Sequence, residues 1–395
     1  MTVKAIDLFA GAGGFTLSAI DAGVDVLAAI EFDNAAANTY KKNFIERMGH
    51  NIDLRAGAEE GDINNVDPVE LRKSLGLKKG ELDLILGGPP CQGFSTHRIK
   101  NAGVNDPRNA LLLRYFEFVN EFQPKAFLVE NVAGLLWKRH ADYLQKFIVL
   151  AEKAGYRIDF CDALNAKDYG VPQNRKRVFI YGVNLQVKPV REKLFPPEPT
   201  HFPIQSGKKP EWVPAAKVFT KVPKNLYQAY WKKYFEKKTK YSYCEMIDLL
   251  DNLPSTETFD KQDRCNVHMQ PTDKMLVRFK ATPVNGSRED AGEEHRLKCH
   301  SNGYKGHKDV YGRIMIHLPS NTITTGCNNP SKGRFIHPWK HHGITLREAA
   351  RLQTFPDSFE FFGNATEQAR QIGNAVPCLL GTVLITSIID SGSKK

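Results

Sequence analysis

Short apolar runs alternate with amphipathic stretches over residues 1 to about 187. Residues 3–9, 24–31, 82–87, 126–130 and 178–183 are rich in Val, Ile, Leu and Phe and read as strands. Residues 14–22, 34–44, 110–122 and 143–154 place apolar side chains at helical spacing. Strand and helix in alternation is the pattern of a parallel βαβ sheet, so the expected fold class is α/β with a Rossmann-like core. At Lys188 the rhythm stops: Pro189, Pro196, Pro197, Pro199, Pro203, Pro210, Pro214 and Pro223 punctuate a stretch that predicts a smaller, irregular domain. Helical patterns return at 345–353, 366–371 and 377–389, too few for a third domain, and are expected to pack back on the first. The expected division is therefore 1–187 plus 342–395 against 188–341.

Composition narrows the classes. With 41% apolar residues, 23 Phe and 13 Tyr in 395 residues, the chain can bury sizeable cores, which excludes general disorder. The longest mainly apolar stretch, at 378–389, contains Gly381, Thr382, Thr386 and Ser387 and falls short of the roughly 20 residues of a membrane helix. No charged-then-apolar leader precedes the first strand, so a cytoplasmic protein without a membrane partner is expected. The seven cysteines (91, 161, 244, 265, 299, 327 and 378) contain no Cys-x-x-Cys, so most are expected to be buried thiols. His295, Cys299 and His300 lack a second pair at ligand spacing, and no metal is expected.

A net charge of +11 invites a polyanion, and its distribution is more informative than its size. Residues 188–341 hold 27 Lys plus Arg against 16 Asp plus Glu, whereas the rest of the chain balances at 28 against 28. Within that block, 221–243 interleaves Lys224, Lys232, Lys233, Lys237, Lys238 and Lys240 with Tyr227, Tyr230, Trp231, Tyr234 and Phe235. The aromatic residues also fit one face of an amphipathic helix with a solvated lysine face, the reading slightly favoured for this segment.

Four motifs carry chemistry. Asp7-Leu8-Phe9-Ala10-Gly11-Ala12-Gly13-Gly14 joins a strand to a helix through glycines that admit a ligand to the backbone. Glu31, twenty residues after Gly11, is placed to accept hydrogen bonds from ribose hydroxyls. The pattern lacks the third glycine of a dinucleotide loop, which favours a nucleoside cofactor without a pyrophosphate, such as S-adenosylmethionine. Asp62 fits either an adenine amine or a surface cap. Gly87-Gly88-Pro89-Pro90-Cys91-Gln92-Gly93-Phe94-Ser95 follows a strand directly, and its two prolines fix the geometry of Cys91 as an attacking thiolate requires. Glu130 ends an apolar strand, where desolvation favours a carboxyl that donates a proton near neutrality. Arg175 and Arg177, expected on one face of a strand, suit a carbonyl oxygen or a carboxylate.

These blocks resemble those of the DNA (cytosine-5) methyltransferases of the short prokaryotic kind, in the family's order. Arg347-Glu348-Ala349-Ala350-Arg351-Leu352-Gln353-Thr354-Phe355-Pro356 and Gln371-Ile372-Gly373-Asn374-Ala375-Val376-Pro377 match its last two blocks. The resemblance implies a Rossmann-like catalytic domain and a target-recognition domain over 188–341. It implies transfer of a methyl group from S-adenosylmethionine to carbon 5 of a cytosine flipped out of double-stranded DNA. Cys91 would be the nucleophile, Glu130 the partner of ring nitrogen 3, Arg177 the holder of the base carbonyl, and Arg175 the residue that orients Glu130 or the loop. Phe9, Gly11, Gly13, Glu31, Phe32, Asp62, Pro90, Leu111 and Asn374 would line the cofactor site, and Ser95 and Thr322 would contact DNA. A monomeric modification enzyme is expected, with a restriction endonuclease as separate partner. Methylation of RNA cytosine on the same scaffold, a DNA-binding module that has lost catalysis, and a nicotinamide oxidoreductase are the competing readings.

Overall fold

Seven strands form one sheet: β1 (Lys4–Leu8), β2 (Asp25–Glu31), β3 (Asp53–Ala56), β4 (Leu84–Gly87), β5 (Ala126–Val132), β6 (Tyr156–Asn165) and β7 (Lys176–Asn184), in the order β3-β2-β1-β4-β5-β7-β6. The structure, a computed structural model, describes residues 2–90, 110–187, 195–203, 206–219, 262–297 and 309–389. β1 lies inside the sheet, between β2 and β4, with Ala5, Ile6 and Leu8 fully buried, as expected of a strand covered on both faces. The two strands absent from the expected set are the sheet's edges. β3 is short and half-buried, and β6 alternates Tyr156, Ile158 and Phe160 with Arg157 and Asp159, so neither forms a continuous apolar run.

One expectation needs correction. The sheet is not wholly parallel: β7 runs antiparallel to both β5 and β6. The ten residues between β6 and β7 contain only a 3-10 turn, Ala166–Tyr169, too little chain for the crossover a parallel pair demands. The strand therefore returns in the opposite direction.

Helices α1 (Gly14–Asp21), α2 (Asn34–Tyr40), α3 (Pro68–Ser74), α4 (Ala110–Phe122) and α5 (Ala141–Lys153) connect the strands. Asp33 caps α2 by accepting from Ala36 N, and the helix continues as a π-helical segment, Lys41–Arg47. The core beside β5 is aromatic, with the Phe127 ring centroid 6.2 Å from that of Phe116 and 5.9 Å from that of Phe147, both nearly edge-on.

The chain forms two compact units, Met1–Tyr169 with Lys176–Pro199 and Ala375–Lys395, and Gly170–Arg175 with Thr200–Asn374. This division differs from the expected boundaries at both ends. Helix α9 (Cys378–Ile389) packs on α1 in the first unit, where a Cβ on Gly381 would stand 2.3 Å from Ser18 Oγ. Helices α7 (Leu346–Leu352) and α8 (Ala365–Asn374), like α6 (Asp273–Ala281), belong to the second unit. The reason is polar. Arg347 forms a two-pronged ion pair with Asp263 (2.6 and 3.0 Å), and Gln353 Nε2 donates to Ile372 O at 2.6 Å. The second unit is further braced by Arg313, fully buried, which donates to the carbonyls of Phe279, Thr282 and His337 at 2.6–2.8 Å. By length and composition alone, residues 365–389 suffice to cross a membrane, but 56% of their most apolar window is buried in the protein. Pro377 also separates the two helices. The lysine- and aromatic-rich segment 221–243 lies outside the described residues.

Candidate active site

The first half of the site is the turn after β1. Phe9, Gly11 and Gly13 have φ of 60, 59 and 93°. At Gly13 the backbone demands glycine twice over, because a Cβ there would stand 2.2 Å from the Phe44 ring. The turn is tied to β2: Gly11 N donates to Glu31 Oε2 and Asp33 N to Glu31 Oε1, both at 2.7 Å. Two amides thus orient the Glu31 carboxylate at the end of β2, an acceptor group of the kind that suits hydroxyls. Phe32 beside it is 57% exposed, a large apolar ring facing solvent next to an oriented carboxylate. The turn at Gly61 lies against the same strand end, since a Cβ there would fall 2.1 Å from Glu31 O. Asp62 Oδ1 accepts from Asn64 N and Nδ2, an Asx turn that holds this carboxylate near Glu31. An oriented diol acceptor, an exposed aromatic ring and a second carboxylate together fit an adenosyl group. Leu111, by contrast, is partly buried against the hydrophobic core.

Beneath the turn lies a buried polar group that the motif reading did not single out. Asp7 is 1% exposed; its Oδ2 accepts from Thr16 Oγ1 at 2.8 Å, and Thr16 in turn meets Tyr40 Oη at 2.9 Å. Asp7 Oδ1 has no hydrogen-bond partner among the described residues. Burial, with Glu31 adding repulsion, raises the Asp7 carboxyl to about 7 despite the Thr16 hydrogen bond.

The second half of the site is built on β4, β5 and β7. Gly87 admits no side chain, since a Cβ would stand 2.7 Å from Tyr115 and 2.8 Å from Leu8 O. Gly88 then passes beside Glu130, 3.5 Å separating a Cβ there from Oε2. Asn131 Nδ2 donates to Pro89 O at 3.3 Å and its Oδ1 accepts from Val132 N, so the residue after Glu130 holds the proline pair in place. Sequence reasoning missed this role, whose only signal is a buried amide next to a candidate acid. Pro90 is exposed at the end of the described segment, and Cys91 and Ser95 lie outside the described residues.

Glu130 is 8% exposed and forms an ion pair with Arg177, Oε1 to Nε 2.9 Å. The register explains the meeting. Glu130 lies opposite Phe179 on antiparallel β7, and Arg177, two residues earlier, is its diagonal neighbour on the same face. Burial lowers the Arg177 pKa from its ordinary value, and the Glu130 charge opposes that shift. The pair offers an acidic oxygen and guanidinium donors side by side, which complements a planar base edge.

Arg175, expected to orient Glu130 or the loop, makes contacts of a different kind from those of Arg177. Its side chain is 1% exposed inside the second unit, with Nη1 donating to Ile323 O at 2.8 Å and Nη2 to Gly373 O at 2.9 Å. Gln173 works beside it, donating to Leu352 O and Gln353 Oε1 and accepting from Ile323 N. A Cβ on Gly373 would stand 2.3 Å from Thr324 C, so α8 and the segment at 322–325 are in direct contact. Thr322 Oγ1 donates to Asn174 O at 2.9 Å, and Asn374 ends α8 exposed. Residues 173–175 are thus the peg on which the last two sequence blocks are hung. Among the described residues no group of His, Cys, Asp and Glu is placed to hold a metal ion.

The family model described as C-5 cytosine-specific DNA methylase matches residues 3–390. The type II methyltransferase M.AgeI of Thalassovita gelatinovora is 32% identical over 98% of this chain and 99% of its own length. M.DdeI of Desulfomicrobium norvegicum is 33% identical over 97% of this chain and 88% of its own. Among solved structures, Entamoeba histolytica methyltransferase EhMeth superposes with a TM-score of 0.58 at 15% identity over the full length of both chains. The S. pombe Dnmt2 methyltransferase does so with 0.52 at 16%, over 99% of each. At these identities the structures speak to the fold.

Proposed function

We propose, from the premise that the chain belongs to the C-5 cytosine-specific DNA methylase family, how its residues divide the work of that reaction. The enzyme methylates carbon 5 of cytosine in double-stranded DNA and uses S-adenosylmethionine. That cofactor supplies an electrophilic methyl group. Glu31 would hold its ribose hydroxyls, Phe32 would cover the adenine face, Asp62 would meet the adenine amine, and the turn at Phe9, Gly11 and Gly13 would let the backbone approach it, with Pro90 at its edge.

Carbon 5 of cytosine is a poor nucleophile, and the target must first be flipped from the stack. The Cys91 thiolate adds to carbon 6, and the electron pair displaced toward the ring is accommodated as nitrogen 3 takes a proton shared with Glu130. Arg177, held against Glu130, donates to the base carbonyl oxygen. Carbon 5, now enamine-like, would take the methyl group and leave the cofactor as its neutral thioether; water takes the carbon 5 proton, nitrogen 3 returns its proton to Glu130, and the Cys91 thiolate leaves, restoring the aromatic ring. Asn131 positions the loop that carries Cys91 through Pro89. The second unit supplies DNA recognition, with Arg175 as its internal brace and the basic residues of 188–341 neutralising phosphates; Ser95 and Thr322 are DNA contacts. Likeness to type II methyltransferases supports a modification role, and a cytoplasmic monomer acting beside a separate endonuclease is the setting that role suits.

The observation that carries this reading is the Glu130–Arg177 pair on the strand beside the Pro-Pro-Cys loop. Radiolabelled methyl transfer to duplex DNA and to RNA in parallel tests it. Incorporation into DNA is expected, and incorporation into RNA alone would overturn it.

A further inference from the structure

The charge count assigns the whole excess of Lys and Arg to 188–341 and leaves the remainder balanced, yet the strand that carries Glu130 runs directly into an exposed cationic segment. After β5 the chain makes two successive 3-10 turns, Ala133–Leu136 and Lys138–His140. Leu135 is fully buried in the core and His140 is 1% exposed, so the segment is pinned at both ends. Between these pins Lys138 and Arg139 are exposed.

Arg139 is held in one orientation by two contacts. Its guanidinium carbon lies 4.5 Å from the ring centroid of Trp137, and its Nε donates to His140 Nε2 at 3.0 Å. Burial and the neighbouring Arg139 charge both lower the His140 pKa, which keeps the imidazole neutral and its Nε2 an acceptor. Among the described residues, the guanidinium's hydrogen bond is made by Nε, while its face rests on Trp137. Among the described residues no carboxylate pairs with Lys138 or Arg139, although Asp142 stands in the first turn of α5. An exposed guanidinium held by its Nε and by an aromatic face is suited to bind an oxyanion in two-pronged fashion.

Its place in the fold selects the oxyanion. From Glu130 to Arg139 the chain advances two strand residues and then seven in tight turns, at most about 20 Å. That is the run of about six phosphates along one DNA strand. We propose that Trp137, Lys138 and Arg139 form a phosphate clamp on the catalytic unit, gripping the DNA backbone beside the flipped base. The clamp adds to the contacts of the basic segment 188–341. It rests on the reading of Glu130 as the base-facing acid.

The test is equilibrium binding of a duplex containing the target cytosine, and of one lacking it, between about 50 and 200 mM salt. Arg139→Ala is expected to weaken both duplexes by a similar factor, roughly five-fold, and to make the slope of log affinity against log salt shallower by about 0.9. Arg139→Lys should retain the slope, and Lys138→Ala combined with Arg139→Ala should lower it about twice as much. Affinity for S-adenosylmethionine and the melting temperature are measured alongside to establish that the variants are folded. An unchanged slope in a folded Arg139→Ala protein, with measurable binding by the parent, overturns the clamp alone. Failure of the parent to bind duplex DNA overturns both the clamp and the proposed function.

Discussion

Arg177 reaches Glu130 diagonally across an antiparallel strand pair, Nε to Oε1 2.9 Å, with both side chains largely withdrawn from water. Removing the cation leaves a buried carboxylate without its counter-charge. Arg177→Ala is expected to lower stability by roughly 2–4 kcal/mol and to reduce kcat at least a hundred-fold. Glu130→Gln keeps the volume and an accepting oxygen but leaves the Arg177 charge uncompensated, so it should destabilise as well, by less than Arg177→Ala. Its kcat should fall by about 10²–10³ with affinity for the cofactor intact. Urea unfolding and single-turnover methyl transfer on the two variants separate the effects, and equal behaviour of the two would deny the pairing.

The Asp7 carboxyl is raised to about 7 in the folded protein from an ordinary value of 3.8. The folded state therefore holds this proton over a pH range in which the unfolded chain has released it. Stability contributed by this group is full below about pH 4, declines as the pH rises, and levels off above about pH 7. The total decline is on the order of 4 kcal/mol at 1.4 kcal/mol per unit. Asp7→Asn, which imitates the protonated acid, should flatten the profile and stabilise the protein at pH 8. Chemical denaturation across that range tests the sign; a profile identical to the parent's would show that Asp7 does not titrate there.

Glu31 is oriented by Gly11 N and Asp33 N, and Phe32 is exposed beside it. Glu31→Gln and Phe32→Ala are each expected to weaken S-adenosylmethionine binding roughly ten-fold or more. DNA binding by the same proteins should be unaffected. Titration calorimetry with the cofactor measures this directly.

Arg175 carries its charge into the interior of the second unit and satisfies two carbonyls there. Arg175→Met should destabilise by about 2–4 kcal/mol, because Ile323 O and Gly373 O lose their donors. The cofactor affinity of the folded fraction should match the parent's. A catalytic role would instead appear as a lost kcat with unchanged thermal stability.

The parallel core of the fold was legible because buried strands announce themselves. The runs at 3–9, 24–31, 82–87 and 126–130 are largely apolar and mostly buried. The edges β3 and β6 escaped, being half-solvated and interrupted by Arg55, Arg157, Asp159 and Asp162. The antiparallel turn of β7 escaped as well, since strand direction is set by the length of a connection and leaves no mark in a strand's own residues. That direction is what brings Arg177 to Glu130. Arg175 and Arg177 look equivalent in sequence, two residues apart, yet one braces the second unit and the other faces the acid. The chain changes unit between Arg175 and Lys176, and no local pattern records that change. Asn131 was hidden for the opposite reason. It sits inside a motif whose glutamate draws the attention, and its role depends on a contact with Pro89, 42 residues away.

The covalent thiolate step proposed at Cys91, with Glu130 and Arg177 beside the base, can be trapped directly. Duplex DNA carrying 5-fluorocytosine at the target position blocks the final proton loss, so the adduct accumulates and survives denaturing electrophoresis. With S-adenosylmethionine present, the parent protein is expected to give one protein–DNA adduct, mapped to Cys91 by peptide mass analysis, and Cys91→Ser none. An adduct that persists in Cys91→Ser, or methyl transfer by the parent to unmodified DNA with no adduct to the fluorinated duplex, would contradict the account.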